Sequence, residues 1–403
     1  MSRSSRGARA LFGLLISAGL FGLAEVAALL FVEPQPPVLV FQLPDGSETV
    51  LEIQGDLVSL PYQHPMRIPP FPQAADPDTP RVLWLGGSSM RGIGPGSTEE
   101  GELVASRFVG EALGVESINT AAPGLDTGHI AAMLPRLLTL EPDAVVIYTG
   151  HNDLGNGVFY NRYGSGKDRW IARIRAGMGW SRLFGWVERR LRNREVFVPP
   201  TPQSQGNFQV SKARRQEIQH VYDSRLRRIV SEVKESGAVV VLATVASNPY
   251  APSPEWECPE ALADLGLGRP RPAAFPLEDL TVDALEAQLQ RWPGCRDLAW
   301  LKARMDLEAG ESAGREGLEV LRDEDPLPMR ADRATVEVIR AVAAEEDVLL
   351  ADVNQAFRDQ GGGLEAAALF ADFVHPNVEG QRTIAAVVAP VLAEGLGLPS
   401  PLQ

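Results

Sequence analysis

The 403-residue chain carries 38 basic and 52 acidic side chains, a net charge of −14, with two cysteines and five histidines. That balance excludes a nucleic-acid-binding protein, whose domain carries a basic excess. Two cysteines exclude a disulfide-dense scaffold and a four-cysteine zinc site, and 44% hydrophobic with 22% charged residues excludes wholesale disorder.

Arg3, Arg6 and Arg9 precede an apolar run from Ala10 to Val32. At about 1.5 Å per residue such a run spans the roughly 30 Å hydrocarbon core. Residues 1–9 therefore read as a cytoplasmic tail and 10–32 as a transmembrane anchor. Positive charge before the run places the body on the extracytoplasmic, periplasmic side. The alternative is a signal peptide cleaved near Val26-Ala27-Ala28, giving a secreted form. Glu25, inside the run, reads either as a partner contact or as a protonated carboxyl near the outer interface.

Residues 33–80 read as a Pro-rich stalk. Within it Val38–Phe41 and Thr49–Ile53 flank Pro44-Asp45-Gly46, which predicts a small hairpin. From Arg81 the pattern becomes strand, loop, helix, repeated. Val82–Leu85, Ser117–Asn119, Ala144–Tyr148, Ala238–Val245 and Val348–Val353 are the predicted strands, several of them wholly apolar as buried parallel strands are. Helices are expected over 100–113, 127–140, 211–236 and 378–394. The alternation predicts a parallel, doubly wound α/β sheet in two parts, 81–250 and 332–403. Residues 251–331 interrupt it as an insert with two helical patterns, Arg296–Ala309 and Glu311–Arg322, that suggest an antiparallel hairpin.

Ligands of open parallel sheets bind outside the carboxyl ends of the strands. Four polar clusters fall there. Gly86-Gly87-Ser88-Ser89-Met90-Arg91-Gly92 follows the first strand and presents a hydroxyl at a tight turn. Asn119–Gly124 follows the second and offers a glycine N–H. Gly150-His151-Asn152-Asp153 follows the third and offers an amide. Asp372-Phe373-Val374-His375 precedes the last helix. A carboxylate three residues before a histidine can hold Nδ1–H and leave Nε2 as a base toward a serine. Each cluster alone also reads as an ordinary turn or helix cap.

In this order the four clusters resemble blocks I, II, III and V of the SGNH (GDSL-type) hydrolase superfamily, over roughly residues 80–250 and 332–396. The resemblance implies a three-layer α/β/α fold with a five-stranded parallel sheet. It implies Ser88 as nucleophile, His375 as base and Asp372 as its orienting carboxylate. Ser88, Gly124 and Asn152 are the implied oxyanion hole. Gly87 departs from the usual Gly-Asp-Ser, so the choice of Ser88 over Ser89 rests on the spacing to Gly92. The Tyr-x-Gly-His-Asn run and the helical insert resemble a bacterial, membrane-anchored branch with tetratricopeptide-like helices.

The expected activity is serine-dependent hydrolysis of an O-acyl group through an acyl-enzyme, with no metal or organic cofactor. The substrate class is an acylated small molecule, glycan or lipid-linked carrier. An O-acyltransferase of an envelope polysaccharide shares the chemistry up to the acyl-enzyme. A non-catalytic envelope scaffold that engages a protein through the insert is the third reading. His64, His129 and His220 read as structural, and His151 as lining the pocket. Cys258 and Cys295 read either as a disulfide or as two buried thiols. Residues 162–195 hold ten basic and three acidic residues among Trp170, Trp180 and Trp186. They read either as a helix at a membrane interface near the active-site rim or as an amphipathic helix packed on the domain.

Overall fold

The computed structural model describes residues 50–63, 68–92, 103–159, 210–248, 250–251, 258–267, 280–325, 328–360 and 364–400. It also describes 19, 21, 22, 24–27, 181 and 183. The chain divides into two compact units, residues 1–48 with 164–199, and residues 49–163 with 200–403.

In the second unit, β1 (Glu52–Gln54), β2 (Leu57–Ser59) and β3 (Phe71–Pro72) form a small antiparallel sheet. The described hairpin lies one turn further along the chain. Glu52–Gln54 turns at Gly55-Asp56 onto β2, and the Val38–Phe41 strand lies outside the described residues.

The main sheet is parallel, in the order β5 (Glu116–Asn119), β4 (Arg81–Gly86), β6 (Ala144–Tyr148), β7 (Val239–Ala243), β8 (Leu349–Ala351). All five predicted strands form. β4 and β6 are buried along their whole length, as expected of continuous apolar runs covered on both faces.

The helices are α1 (Ser88–Arg91), α2 (Ala105–Leu113), α3 (Thr127–Leu137), α4 (His151–Phe159), α5 (Lys212–Glu235), then α6 (Pro259–Ala263), α7 (Val282–Arg291), α8 (Arg296–Glu308) and α9 (Ser312–Asp323) of the insert. α10 (Arg333–Glu345), α11 (Val353–Asp359) and α12 (Val378–Leu396) follow. α12 packs against α2 and α11 on one side of the sheet, while α5 packs against α3, α4 and α10. This is the three-layer α/β/α arrangement. The helix predicted over 127–140 ends at Leu137 and passes into a 3₁₀ turn, Leu138–Leu140.

The segment before β4 is more than a stalk. Arg81 is fully buried, and all five of its N–H groups are committed. Nε meets Glu116 at 2.7 Å, and the two terminal nitrogens donate to the carbonyls of Pro72, Gln73, Ala74 and Leu140 at 2.8–2.9 Å. A buried guanidinium is tolerated only when satisfied in this way. The bonds fix residues 72–74 to the main sheet. Proline richness suggests a stalk, whereas these contacts are long-range and invisible to composition.

The insert has more helix than the predicted pair, since α6 and α7 precede it. Cys258 and Cys295 are joined in a disulfide, Cα–Cα 5.9 Å. Leu298, Leu301, Leu318 and Leu285 form the insert's own buried core.

In the first unit Glu25 is buried. Its Oε2 accepts the Ser181 hydroxyl at 2.7 Å and the Leu183 N–H at 3.3 Å. The carboxyl in the apolar run thus has partners in the basic, Trp-bearing segment. The rest of that segment, and most of Ala10–Val32, lies outside the described residues. Among the described residues no helix is long and apolar enough to cross a membrane.

Candidate active site

The register of the sheet brings the polar clusters together. Gly86 pairs with Tyr148 across β4 and β6, so the loops leaving these two strands start side by side. One leads into Ser88, the first residue of α1, and the other into His151 and Asn152, the first two residues of α4. β5 pairs with β4 up to Asn119 against Trp84, and its loop carries Gly124.

His375 sits between the other two groups. Its Nε2 lies 2.8 Å from Ser88 Oγ, and its Nδ1 lies 2.6 Å from Asp372 Oδ2. A carboxylate against Nδ1 fixes the proton there, which leaves Nε2 to accept from the serine hydroxyl. The other carboxylate oxygen of Asp372 accepts the backbone N–H groups of Val374 and His375, at 2.8 and 2.7 Å. Burial pushes this carboxyl's pKa up. The His375 bond and the two backbone bonds outweigh that effect and hold it below the usual carboxylate range.

The neighbouring hydroxyl is occupied elsewhere. Ser89 is buried and donates to the Val374 carbonyl at 3.0 Å, whereas Ser88 is half-exposed and faces the imidazole.

Asn152 stands on the other side of the turn. Its Nδ2 donates to the Leu125 carbonyl at 2.8 Å, one residue beyond Gly124, and keeps a second N–H. A Cβ on Gly87 would lie 2.5 Å from this Nδ2. Glycine at position 87 leaves the Asn152 amide room to approach the serine turn. Gly124 has φ +74°, a backbone conformation that favours glycine.

His151 is buried beside the site. Its Nδ1 accepts the Ala331 N–H at 3.2 Å, so the ring proton resides on Nε2, which has no hydrogen-bond partner among the described residues. Burial, and then the neighbouring His375, lower its pKa to about 3, against an opposing pull from Asp372. It is a neutral ring at working pH.

Three supporting residues escaped the sequence reading. Asn248 holds the loop of Asp372, its N–H on the Phe373 carbonyl and its Nδ2 on the Asp372 carbonyl, both 3.1 Å. Gln63 donates to the carbonyls of Asn119 and Ala121, each at 2.8 Å. Asn156 reaches the Gly124 carbonyl. Only Asn156 left a signal, because it follows Asn152 by four residues and so shares its helix face. Among the described residues the one cluster with metal-ligand chemistry is Cys258, Cys295 and Asp297, and its two sulfurs are bonded to each other.

The model of the GDSL-like lipase/acylhydrolase family matches residues 84–292. No curated protein matches the chain. Among solved structures, LAE5, an alpha/beta hydrolase enzyme from the metagenome of Lake Arreo, is 16% identical. The alignment covers 80% of this chain and 96% of that one, with a TM-score of 0.37. A GDSL-like lipase from Bacteroides thetaiotaomicron is 12% identical, with 79% and 91% covered and a TM-score of 0.37. Axe2, an acetylxylan esterase from Geobacillus stearothermophilus, is 15% identical, with 79% and 94% covered and a TM-score of 0.36.

Proposed function

The chain belongs to the GDSL-like lipase/acylhydrolase family, and from that premise we propose that it is an extracytoplasmic serine esterase that removes an O-acyl group. Ser88 attacks the acyl carbonyl carbon while His375 Nε2 takes the hydroxyl proton. The tetrahedral oxyanion is met by the N–H groups of Ser88 and Gly124 and by the free N–H of Asn152. One such donor is typically worth about 2.7–4 kcal/mol. Collapse expels the alcohol, which receives the proton from His375. Water then enters by the same route in reverse and frees the acid.

The observation that carries this reading is the position of His375, within hydrogen-bonding distance of both the serine oxygen and the carboxylate. The Arg-flanked apolar run at 10–32 supports single-pass anchoring with the catalytic body outside. The Cys258–Cys295 bridge supports the same placement, because disulfides persist in oxidising compartments. The substrate is an acylated small molecule, glycan or lipid-linked carrier.

The test uses the full chain in detergent with a panel of aryl esters and acetylated glycans, and a serine-reactive phosphonate. We expect acid release from at least one ester and phosphonate mass on the peptide of Ser88. Ser88→Ala should lose both, and His375→Ala should lose turnover by about a thousandfold or more. Acyl transfer to an added sugar in preference to water would replace hydrolase with transferase. Label on Ser89, or unchanged turnover in Ser88→Ala, would overturn the assignment.

A further inference from the structure

We propose that Asn156 is a positioning residue that, by holding the Gly124 carbonyl, keeps the backbone at Gly124 in the conformation that aims its N–H at the oxyanion. The inference rests on the reading of Gly124 as an oxyanion donor.

Asn156 lies on α4, one turn beyond Asn152, and is buried. Both N–H groups of its amide are committed. One meets the Gly124 carbonyl at 3.0 Å and the other meets Asp126 Oδ2 at 2.7 Å. Asp126 is itself fixed. It caps α3, accepting the His129 N–H at 3.0 Å, and its Oδ1 lies 2.7 Å from His129 Nδ1. The amide is therefore a strut between a held carboxylate and one carbonyl of the oxyanion loop.

That carbonyl needs a restraint. Gly124 sits at φ +74°, and a Cβ built on it would meet nothing within 4 Å. No packing encloses the residue, and glycine has the widest choice of backbone states. Holding its carbonyl fixes the following peptide plane and so restricts the rotation about Gly124 by which its N–H would turn away. α4 supplies two ties on consecutive carbonyls, Asn156 on Gly124 and Asn152 on Leu125. Asn152 has a second N–H to offer the reacting oxygen, whereas Asn156 has none, so Asn156 acts only through the loop. A donor misplaced by about 1 Å can cost on the order of a hundredfold in rate.

The consequence is specific to the transition state. The ground-state ester gains little from the hole, whereas the oxyanion gains much. Asn156→Ala should lower kcat about 10- to 100-fold and change KM less than about threefold. Asn156→Asp supplies a second readout. Its ionised carboxylate has no hydrogen to give and would face Asp126, while its protonated form regains one donor. The charged and titratable groups around the position are Asp126 and His129 beside it, Asp153 on its own helix, and Arg214, Tyr222 and Arg225 on α5. Taking the ratio to the native enzyme cancels whatever pH dependence the two share. The ratio of Asn156→Asp to native kcat should therefore rise about tenfold or more as pH falls from 8 to 5.

The experiment measures kcat and KM on an aryl acetate between pH 5 and 9, with the rate of phosphonate labelling, on the full chain. Circular dichroism checks the fold, and Ser88→Ala is the reference. Parallel losses of kcat and labelling rate with KM retained, and the pH-dependent ratio, are the expected result. Unchanged kcat, a loss confined to KM, a pH-independent ratio, or unfolding of both variants would overturn the proposal. Turnover surviving in Ser88→Ala would instead defeat the reading beneath it, so the two failures are distinct.

Discussion

At the scale of single residues, Gly87 and Asp153 lead to measurable effects. A Cβ at position 87 would press on the Asn152 amide, which is the far end of a side chain and can move aside. Gly87→Ala is therefore expected to cost under about 1 kcal/mol of stability. Because the displaced amide is the proposed oxyanion donor, kcat should fall about tenfold or more, while the melting temperature falls by no more than about 2–4 °C. Asp153 is the second case. Burial, then the nearby Asp126, raises its carboxyl from 3.8 to about 7, against the bonds from Thr127 and the pull of Arg225. Between about pH 4 and 7 the folded state holds a proton that the unfolded state has released, so stability falls as pH rises through that window. Thermal melts across it should decline, and Asp153→Asn should flatten the decline. Asp372 and Asp352, held below their usual range, act oppositely and lose their contribution only below about pH 4. The meeting of Ser88, Asp372 and His375 is legible in the sequence because each sits in a short motif at a strand end or before the last helix. Asn156 is not, since its meaning depends on Gly124, 32 positions away.

At the scale of elements, the five strands were legible because uninterrupted β-branched runs have few alternatives. The segment 50–74 reads as a stalk in the sequence because its role comes from contacts with distant parts of the chain. The Gln63 amide sits on two carbonyls of the Asn119–Ala121 stretch, the Tyr62 hydroxyl donates to Thr120, and Arg81 grips the 72–74 backbone. No local pattern encodes such bonds. In the insert, the disulfide closes a loop with a sequence separation of 37. The chain-entropy model gives about 4 kcal/mol for a loop of that size. The Cys258→Ser/Cys295→Ser pair should therefore make α6 to α9 the first region to exchange amide hydrogens, while β4 and β6 keep their protection. Equal protection of the insert with and without the bridge would show that its apolar core suffices.

At the scale of the whole molecule, the parallel sheet collects residues from both ends of the catalytic body at one rim. The insert leaves and returns close to that rim. Arg330, near its end, donates to the carbonyls of Asn248 and Ala251 at its beginning, and Ala331 donates to His151. Asn248 in turn holds the loop of Asp372. The insert's two roots are thus built into the support of the site. Ser88 and His375, 2.8 Å apart in the folded protein, are separated by 287 positions in the chain. At roughly 5–20 residues per second, a ribosome that has just added the serine needs on the order of 15–60 s to reach its base. On the proposed mechanism, every shorter nascent chain carries a serine with no base to activate it. The proposed chemistry is therefore absent through most of the chain's synthesis and arises only once the Asp372–His375 loop has reached the sheet.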